Sequence, residues 1–259
     1  MAHIHVLESF KLNGKVALVT GGTRGLGYQM AGALAEAGAS VAIAGRSIEP
    51  ARESAEKIAA ATGQKTQAFA VDVTSLEQVR KMVADVERSL GPVDVLVNSA
   101  GINIRGNADQ LTEEEWDTVV DINLKGTFFC SRTVGPGMVS RGWGRVINMG
   151  SILSVIAIPG RAAYASAKAG VANLTKVLAL EWAGTGVTAN AICPGPFGTD
   201  MNRALLNDPV KYAEFIRNLP IGRFGELHEL NGAAVYLASD ASSFMTGSLM
   251  FIDGGWTAR

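Results

Sequence analysis

The chain has little cysteine, little net charge and no long apolar run. Its 259 residues include two cysteines, Cys130 and Cys193, which lie far apart and lack the CxxC spacing of a metal or redox site. We therefore expect buried, reduced thiols in a cytoplasmic protein without a metal centre. The formal net charge of -1 gives no bulk attraction for nucleic acid or membrane lipid. No apolar run reaches the ~18 residues of a membrane span, and residues 1–14 lack the apolar core of a signal peptide.

Short apolar runs alternate instead with longer segments of helical periodicity. We predict strands at residues 15–20, 40–44, 66–71, 93–97, 145–149, 187–192 and 249–252. We predict helices at 25–37, 50–62, 75–90, 112–141, 162–183 and 226–238, the fourth kinked or broken at Gly135-Pro136-Gly137. Alternation of this kind produces a parallel sheet covered by helices on both faces. The predicted fold is therefore α/β, with an extension at 1–10 and one doubly wound Rossmann-type domain of about seven parallel strands at 11–259.

A glycine-rich turn joins the first predicted strand to the first predicted helix. Residues 20–27 read TGGTRGLG. Glycine allows a sharp turn and a close backbone approach to phosphate, and the N-terminus of the following helix attracts the anion. Such a turn in the first βα unit of a doubly wound sheet is typical of dinucleotide binding.

Tyr164 and Lys168 lie four residues apart on a predicted helix, so the phenol and the ammonium share one face. A cation beside a phenol favours the phenolate, which should lower the tyrosine pKa and make it a usable acid or base near neutrality. Ser151, thirteen residues before Tyr164, would add a hydroxyl donor at the same reacting oxygen. Alone, the Tyr-x-x-x-Lys pair could equally be two surface neighbours, and Ser151 could simply cap a turn.

The motifs taken together resemble the short-chain dehydrogenase/reductase family. They comprise, in order, the TGGTRGLG turn, Asn98-Ser-Ala-Gly101, Asn123, Ser151, Tyr164 with Lys168, and Pro194-Gly195. Their spacing matches over nearly the whole of residues 11–259. Ser99 departs from the commoner Asn-Asn-Ala-Gly pattern, which we expect to affect local hydrogen bonding more than chemistry.

The resemblance implies hydride transfer between a nicotinamide cofactor and a secondary alcohol or ketone. It makes Tyr164 the general acid and base and Ser151 the donor that orients the substrate oxygen. Lys168 would lower the tyrosine pKa and hold the nicotinamide ribose, and Asn123 would position a water in a proton relay. No metal and no covalent intermediate are required.

Two arginines favour NADP(H), with NAD(H) as the alternative cofactor. Arg46 follows the second predicted strand, where an acidic residue would bind a free ribose hydroxyl. After this strand the first acidic residue is Glu49. Arg24 in the glycine turn offers a second guanidinium for a 2′-phosphate. The resemblance implies further cofactor contacts at Gly21, Thr23, Gly25, Leu26, Gly27, Asp72, Val73, Asn98, Ala100, Gly101, Tyr164, Lys168, Pro194, Gly195 and Thr199.

The substrate is less well defined. Residues 199–219 resemble the mobile helical lid of many relatives, and Arg105 offers a guanidinium for a substrate carboxylate unless it is simply an exposed arginine. The chain resembles sugar-acid and polyol dehydrogenases of the gluconate 5-dehydrogenase type, and also 3-oxoacyl-acyl-carrier-protein and general carbonyl reductases. A non-catalytic NADP(H)-sensing protein is the alternative of another class, but it should have lost the tyrosine or the lysine. By resemblance we expect a homotetramer formed through helices 112–141 and 162–183 and the C-terminal strand.

Overall fold

Seven parallel strands form one sheet in the computed structural model. They are β1 (Val16–Thr20), β2 (Ser40–Gly45), β3 (Thr66–Ala70), β4 (Val95–Asn98), β5 (Gly144–Met149), β6 (Val187–Pro194) and β7 (Leu249–Ile252). Their order across the sheet is β3-β2-β1-β4-β5-β6-β7, and every pairing is parallel. The predicted doubly wound α/β fold is confirmed, with each strand within two residues of its predicted bounds.

The structure describes residues 5–258, apart from the side chains of Met201 and Ala204. Residues 1–4 of the predicted extension and residue 259 of the predicted domain therefore lie outside the described residues. The α-helices are α1 (Gly25–Glu36), α2 (Ile48–Thr62), α3 (Leu76–Ser89), α4 (Glu113–Val120), α5 (Gly126–Arg141), α6 (Ala162–Glu181), α7 (Arg203–Leu206), α8 (Pro209–Ile216) and α9 (Asn231–Ala238). The helix predicted at 226–238 begins as a 3₁₀ turn, Leu227–Leu230, which continues into α9.

The sheet has an apolar core on each face, because its strands are buried on both sides. Along β1, Ala17 and Val19 join one core while Val16 and Leu18 join the other. Side chains of α1, α2 and α9 complete the first core, and those of α3, α5 and α6 complete the second. This two-sided burial explains why the strands are continuous apolar runs and do not alternate with polar residues.

The segment predicted as one interrupted helix, 112–141, is helical throughout. The break allowed for at Gly135-Pro136-Gly137 is not formed, because α5 runs through it. A Cβ on Gly135 would lie 2.4 Å from a ring carbon of Trp182, so glycine is needed there for helix packing. The interruption lies earlier: Asp121–Lys125 forms a π-turn, in which the N–H of Gly126 bonds to the carbonyl of Asp121.

The strand order places a crevice between β1 and β4. The connection from β1 leads outward to β2 on one side, and β4 continues the sheet on the other side. At such a switch point the two sets of loops after the strands diverge and leave room for a ligand at the carboxyl ends. The glycine turn follows β1, and the Asn98-Ser-Ala-Gly101 segment begins at the end of β4. The fold therefore brings these two motifs to the same edge of the sheet.

Candidate active site

The glycine turn packs directly against the loop that follows β4. Gly21 adopts φ +67°, and a Cβ at this position would lie 2.7 Å from the backbone nitrogen of Ala100. A Cβ on Gly27 would lie 2.4 Å from the carbonyl oxygen of Gly21. Gly25, at the start of α1, adopts φ +56° with open space where a Cβ would project. The first two glycines are needed for packing, and the third leaves the N-terminus of α1 accessible.

The two predicted phosphate ligands have different neighbours. Arg46 lines a cavity of about 770 Å³ together with Asp72 and Thr74 after β3, and with residues of α4. Arg24 is exposed, and its Nη1 lies 3.8 Å from a carboxylate oxygen of Asp200 in the predicted lid. Asp72 accepts hydrogen bonds from the backbone and hydroxyl of Thr74 at 2.9 and 2.7 Å. Both arginines lie on loops at the carboxyl ends of strands, one beside the cavity and one beside the lid.

The remaining residues of the turn and the adenine side also lie in this region. Thr23 packs against Gly45, where a Cβ would meet its methyl group at 2.6 Å. Leu26 is partly buried against the first core. Val73 is buried, and a Cβ on Gly126 would lie 2.7 Å from its side chain. Val73 therefore connects the loop after β3 to the start of α5.

The Asn98-Ser-Ala-Gly101 segment is held by buried hydrogen bonds across three strands. The amide of Asn98 donates to Asn148 Oδ1 on β5 at 2.9 Å and to Ser131 Oγ on α5 at 3.0 Å. The Ala100 N–H donates to Thr20 Oγ1 at 3.4 Å. The hydroxyl of Ser99 lies 3.0 Å from the Cβ position of Gly27. Ser99 therefore packs against the glycine turn, which fits the expectation that this residue affects the local structure more than the chemistry.

Asn123 lies at the centre of the π-turn, with 1% of its surface exposed. Its side-chain amide donates to the carbonyls of Ile102 at 2.9 Å and Val119 at 2.8 Å. Val119 is the residue whose carbonyl the Asn123 N–H would bond in an ordinary α-helix. The side-chain oxygen Oδ1 is buried without a hydrogen-bond partner, and it lies 2.6 Å from the Cβ position of Gly101. A side chain at position 101 would therefore overlap this oxygen, and glycine avoids the overlap.

Ser151, Tyr164 and Lys168 come together at the carboxyl end of β5. Ser151 is 8% exposed, and its hydroxyl accepts a hydrogen bond from the Leu153 N–H at 3.1 Å. Tyr164 and Lys168 both lie on α6, and the Lys168 Nζ is 5.5 Å from the centroid of the Tyr164 ring. Lys168 is 5% exposed, and its ammonium donates to the Met149 carbonyl at 2.6 Å. The predicted triad is therefore assembled in space.

The Tyr164 pKa differs from the expectation based on the sequence. Burial raises it to about 12, although a hydrogen bond with Ser151 and the positive charge of Arg161 oppose that shift. Burial also lowers the pKa of Lys168 to about 8. The positive charge that opposes the rise in the Tyr164 pKa is that of Arg161, while the ammonium of Lys168 donates its hydrogen bond to the Met149 carbonyl. With its pKa raised to about 12, the Tyr164 phenol is protonated at neutral pH.

Pro194, Gly195 and Thr199 lie beyond the end of β6, on the other side of this cluster. The Gly195 N–H donates to the Ile252 carbonyl at 3.0 Å, and a Cβ on Gly195 would lie 2.6 Å from the Asp253 Cα. Thr199 directly precedes the 3₁₀ turn Asp200–Asn202, which leads into α7 and α8. The predicted lid is thus helical, and it contacts the glycine turn through Asp200.

Sequence reasoning assigned no role to two residues at this site, Arg161 and Asn148. Arg161 is the N-cap residue of α6, three residues before Tyr164, and its charge acts on the tyrosine. Its i−3 spacing from Tyr164 was the available signal. Asn148 connects Asn98 to α6, because its amide donates to Thr175 Oγ1 at 2.9 Å. The signal in that case was a polar residue inside an apolar strand.

The residues present fit a dinucleotide. The open N-terminus of α1 suits a pyrophosphate, since its N–H groups are free of intrahelical partners. Further along the crevice, Asn98 Oδ1 and Asn123 Oδ1 are buried acceptors without protein partners. Within residues 5–258, no cluster of histidine, cysteine and acidic side chains is arranged to bind a metal. No described helix combines the length and apolarity needed to cross a membrane.

Known proteins match this chain over almost its full length. A family model described as enoyl-(acyl carrier protein) reductase matches residues 21–257. The chain belongs to the short-chain dehydrogenase/reductase family. Gluconate 5-dehydrogenase of Gluconobacter oxydans (strain 621H) is 40% identical over 250 residues, covering 96% of this chain and 97% of that protein. Acetoacetyl-CoA reductase of Shinella zoogloeoides is 42% identical over 241 residues, covering 93% and 98%.

Solved structures agree with this assignment. A crystal structure of a gluconate 5-dehydrogenase from Burkholderia cenocepacia J2315, in complex with NADP and tartrate, superimposes with a TM-score of 0.95. It is 39% identical, with 98% of this chain and 100% of that chain covered. As a short-chain dehydrogenase/reductase the protein is a nicotinamide-dependent oxidoreductase of alcohol and carbonyl groups, which confirms the predicted reaction class.

Proposed function

We propose that the enzyme transfers a hydride between NADP(H) and a secondary alcohol or ketone of a sugar acid. The observation that carries this proposal is the convergence of Ser151, Tyr164 and Lys168 at the edge of the sheet where the glycine turn lies. Hydride transfer to a ketone leaves negative charge on oxygen, so the site must supply hydrogen-bond donors and then a proton. A serine hydroxyl and a protonated phenol meet both requirements.

Each residue has a separate role in this proposal. NADP(H), when bound, supplies or accepts the hydride. Tyr164 donates its proton to the substrate oxygen during reduction and takes it back during oxidation, while Ser151 donates a hydrogen bond to the same oxygen. Lys168, held by the Met149 carbonyl, places a positive charge beside the Tyr164 ring. Asn123 Oδ1 is the acceptor for a water that returns protons through the lysine, as the family resemblance implies.

The preference for NADP(H) over NAD(H) rests on Arg24 and Arg46. Both guanidiniums are exposed at the carboxyl ends of the strands, where the adenosine ribose of a dinucleotide lies in doubly wound folds. The Burkholderia gluconate 5-dehydrogenase was crystallised with NADP, which supports this choice. The other cofactor contacts follow the predicted set, from Gly21, Thr23, Gly25, Leu26 and Gly27 through Asp72, Val73, Asn98, Ala100 and Gly101 to Pro194, Gly195 and Thr199.

A sugar acid is the substrate class that the relatives and the local charges favour. The Gluconobacter relative is a gluconate 5-dehydrogenase, and the Burkholderia structure holds tartrate, itself a hydroxy acid. A second candidate is the reduction of a 3-oxoacyl thioester, favoured by the 42% identity to acetoacetyl-CoA reductase. Residues 199–219, proposed as a lid, contribute Asn202, which accepts a hydrogen bond from Arg105 at 3.4 Å.

An activity screen with NADP(H) and NAD(H) tests the proposal. The panel contains sugar acids, polyols, 3-oxoacyl thioesters and simple ketones, each assayed in its redox direction by the absorbance of the reduced cofactor. We expect the highest kcat/KM with a sugar acid and NADP(H). A higher value with a 3-oxoacyl thioester would establish the second candidate. Cofactor binding without turnover of any compound would instead identify a cofactor-sensing protein.

We also propose a homotetramer in the cytoplasm. Large apolar side chains are exposed on α5, α6 and the segment before β7: Phe128, Val177, Leu180 and Phe244. Leu180 is 78% exposed, which favours its burial against another copy. Cys130 and Cys193 are free, buried thiols, as suits a reducing compartment. Light scattering at micromolar concentration should give four times the mass of the chain, and a monomer would contradict the assembly.

A further inference from the structure

Arg161 lies at the rim of the candidate active site, fixed there by two segments. It is the N-cap residue of α6, three residues before Tyr164, and its positive charge acts on the tyrosine. Its backbone pairs with Gly106 in an isolated parallel bridge, and the Gly106 N–H donates to the Gly160 carbonyl at 3.3 Å. Gly106 directly follows Arg105 on the loop after β4. The bridge thus brings the loop carrying Arg105 next to the start of the catalytic helix.

The charge of Arg161 is incompletely compensated by the protein. The guanidinium is partly buried, and Nη1 donates to the Gly160 carbonyl at 3.0 Å. Among residues 5–258, no carboxylate lies within salt-bridge distance of it. Burial lowers its pKa, and the like charge of Arg105 adds to that effect. A partly desolvated guanidinium such as that of Arg161 is stabilised by an anion placed beside it.

The position of Arg161 selects which anion that is. The phosphate groups of a dinucleotide lie at the glycine turn and near Arg24 and Arg46, on the β1 and β2 side of the crevice. Arg161 lies instead beside Tyr164, where the reacting oxygen of the substrate must be placed. An anion there belongs to the substrate. The planar guanidinium fork matches the two oxygens of a carboxylate.

We propose that Arg161 binds the carboxylate of the substrate and makes the enzyme prefer sugar acids to polyols of the same length. This inference rests on the proposed function, because it names the group that selects among the sugar-type substrates. Arg161 is then a residue that determines substrate specificity, in addition to the four predicted catalytic residues. The variants below separate carboxylate binding from a purely structural role, in which the hydrogen bond of Arg161 to Gly160 only shapes the loop.

Kinetics with a matched substrate pair provide the first test. D-Gluconate and D-glucitol differ in whether the terminal carbon is a carboxylate or an alcohol. The ratio of their kcat/KM values should fall about 10- to 100-fold in Arg161→Gln, chiefly through a higher KM for gluconate, since a hydrogen bond to a charged group is lost. Arg161→Lys keeps the charge but loses the planar fork, so its kcat/KM ratio should lie between those of the wild type and Arg161→Gln. Arg88→Gln, at an exposed position on α3, is the control and should leave the ratio unchanged.

Tartrate binding provides a readout that needs no turnover. Calorimetry with NADPH present should show tartrate binding to the wild-type enzyme, at least tenfold weaker binding to Arg161→Gln, and unchanged binding to Arg88→Gln. Equal tartrate affinity in wild type and Arg161→Gln, or an equal loss of gluconate and glucitol turnover, would overturn the inference. Tartrate binding that depends on Arg161, without turnover of any sugar acid, would overturn the proposed function while the anion site stands. If the enzyme neither binds tartrate through Arg161 nor turns over a sugar acid, the inference and the proposed function are both overturned.

Discussion

The predicted catalytic residues and the predicted cofactor-phosphate residues are held in opposite ways. Asn123, Ser151 and Lys168 are nearly inaccessible, and each makes short hydrogen bonds to backbone groups. Arg24 and Arg46 are exposed, and the ion pair of Arg24 with Asp200 is 3.8 Å long. Buried polar side chains that are bonded to the backbone are fixed in place and costly to change, whereas exposed charges are adaptable. We therefore expect the reaction to depend on the buried group and the choice of cofactor on the exposed one.

The largest effect should follow from removing the proton donor. Tyr164→Phe keeps the ring and its packing but loses the hydroxyl, so kcat should fall about 100- to 10,000-fold. NADPH affinity, followed by nucleotide fluorescence, should change little. Tyr236→Phe on α9 is the matched control and should retain full activity. Undiminished turnover in Tyr164→Phe would remove Tyr164 from the mechanism.

A smaller and selective effect is expected from the exposed arginines. Arg24→Ala and Arg46→Ala should each raise the KM for NADPH about 10- to 100-fold, because a charge-assisted contact to the 2′-phosphate is lost. The KM for NADH should stay nearly constant, since NADH has no such phosphate. Arg52→Ala, which removes an exposed arginine paired with Glu49 on α2, is the control. Parallel losses with both cofactors would show that the arginines do not read the phosphate.

The pH dependence tests the buried lysine. With a pKa near 8, Lys168 is charged below that pH and neutral above it. If its charge is required, turnover should fall as the pH rises above about 8, by roughly tenfold per unit. Lys168→Arg stays charged, since arginine titrates above about 12, and should move the fall to higher pH whatever its overall rate. If the pH–activity profile of Lys168→Arg is identical to that of the wild type, the loss of turnover at high pH belongs to another group.

The smallest effect should come from the contact between the glycine turn and the proposed lid. Asp200 and Arg24 are 51% and 78% exposed, and exposed pairs of this kind contribute about 0–1 kcal/mol. Asp200→Asn should release Arg24 toward the cofactor and lower the KM for NADPH by less than about fivefold. The effect should diminish in high salt. A tenfold increase in KM would show that Asp200 supports cofactor binding.

Much of the fold followed from the sequence, because parallel strands buried on both faces are continuous apolar runs. The seven strands were predicted within two residues of their bounds, and the glycine turn was placed at the start of α1. The π-turn at Asp121–Lys125 was not predicted; it contains Asn123, whose side chain bonds to the Ile102 carbonyl, twenty-one residues away. Gly135 was read as a helix breaker, whereas its purpose is to admit the ring of Trp182.

The candidate site divides in the same way. Ser151, Tyr164 and Lys168 predicted a hydride-transfer site only together with the other motifs, because it was the whole ordered set that resembled the short-chain dehydrogenase/reductase family. The pKa of Tyr164 was not predictable, since burial outweighs the nearby cation and Lys168 turns to the Met149 carbonyl. Arg161 was given no role of its own, because the Gly106 bridge that brings the Arg105 loop beside it joins segments far apart in the chain.

The sequence by itself determined the strand and helix order, the family and the set of groups proposed to carry the reaction. These depend on local periodicity and on residue identity, both of which can be read along the chain. Only the tertiary structure decided which carbonyl holds Lys168, which carboxylate meets Arg24 and which guanidiniums lie beside Tyr164. Those choices depend on distances and burial between segments that the sheet brings together, and both the protonation of the site and its charge toward substrate follow from them.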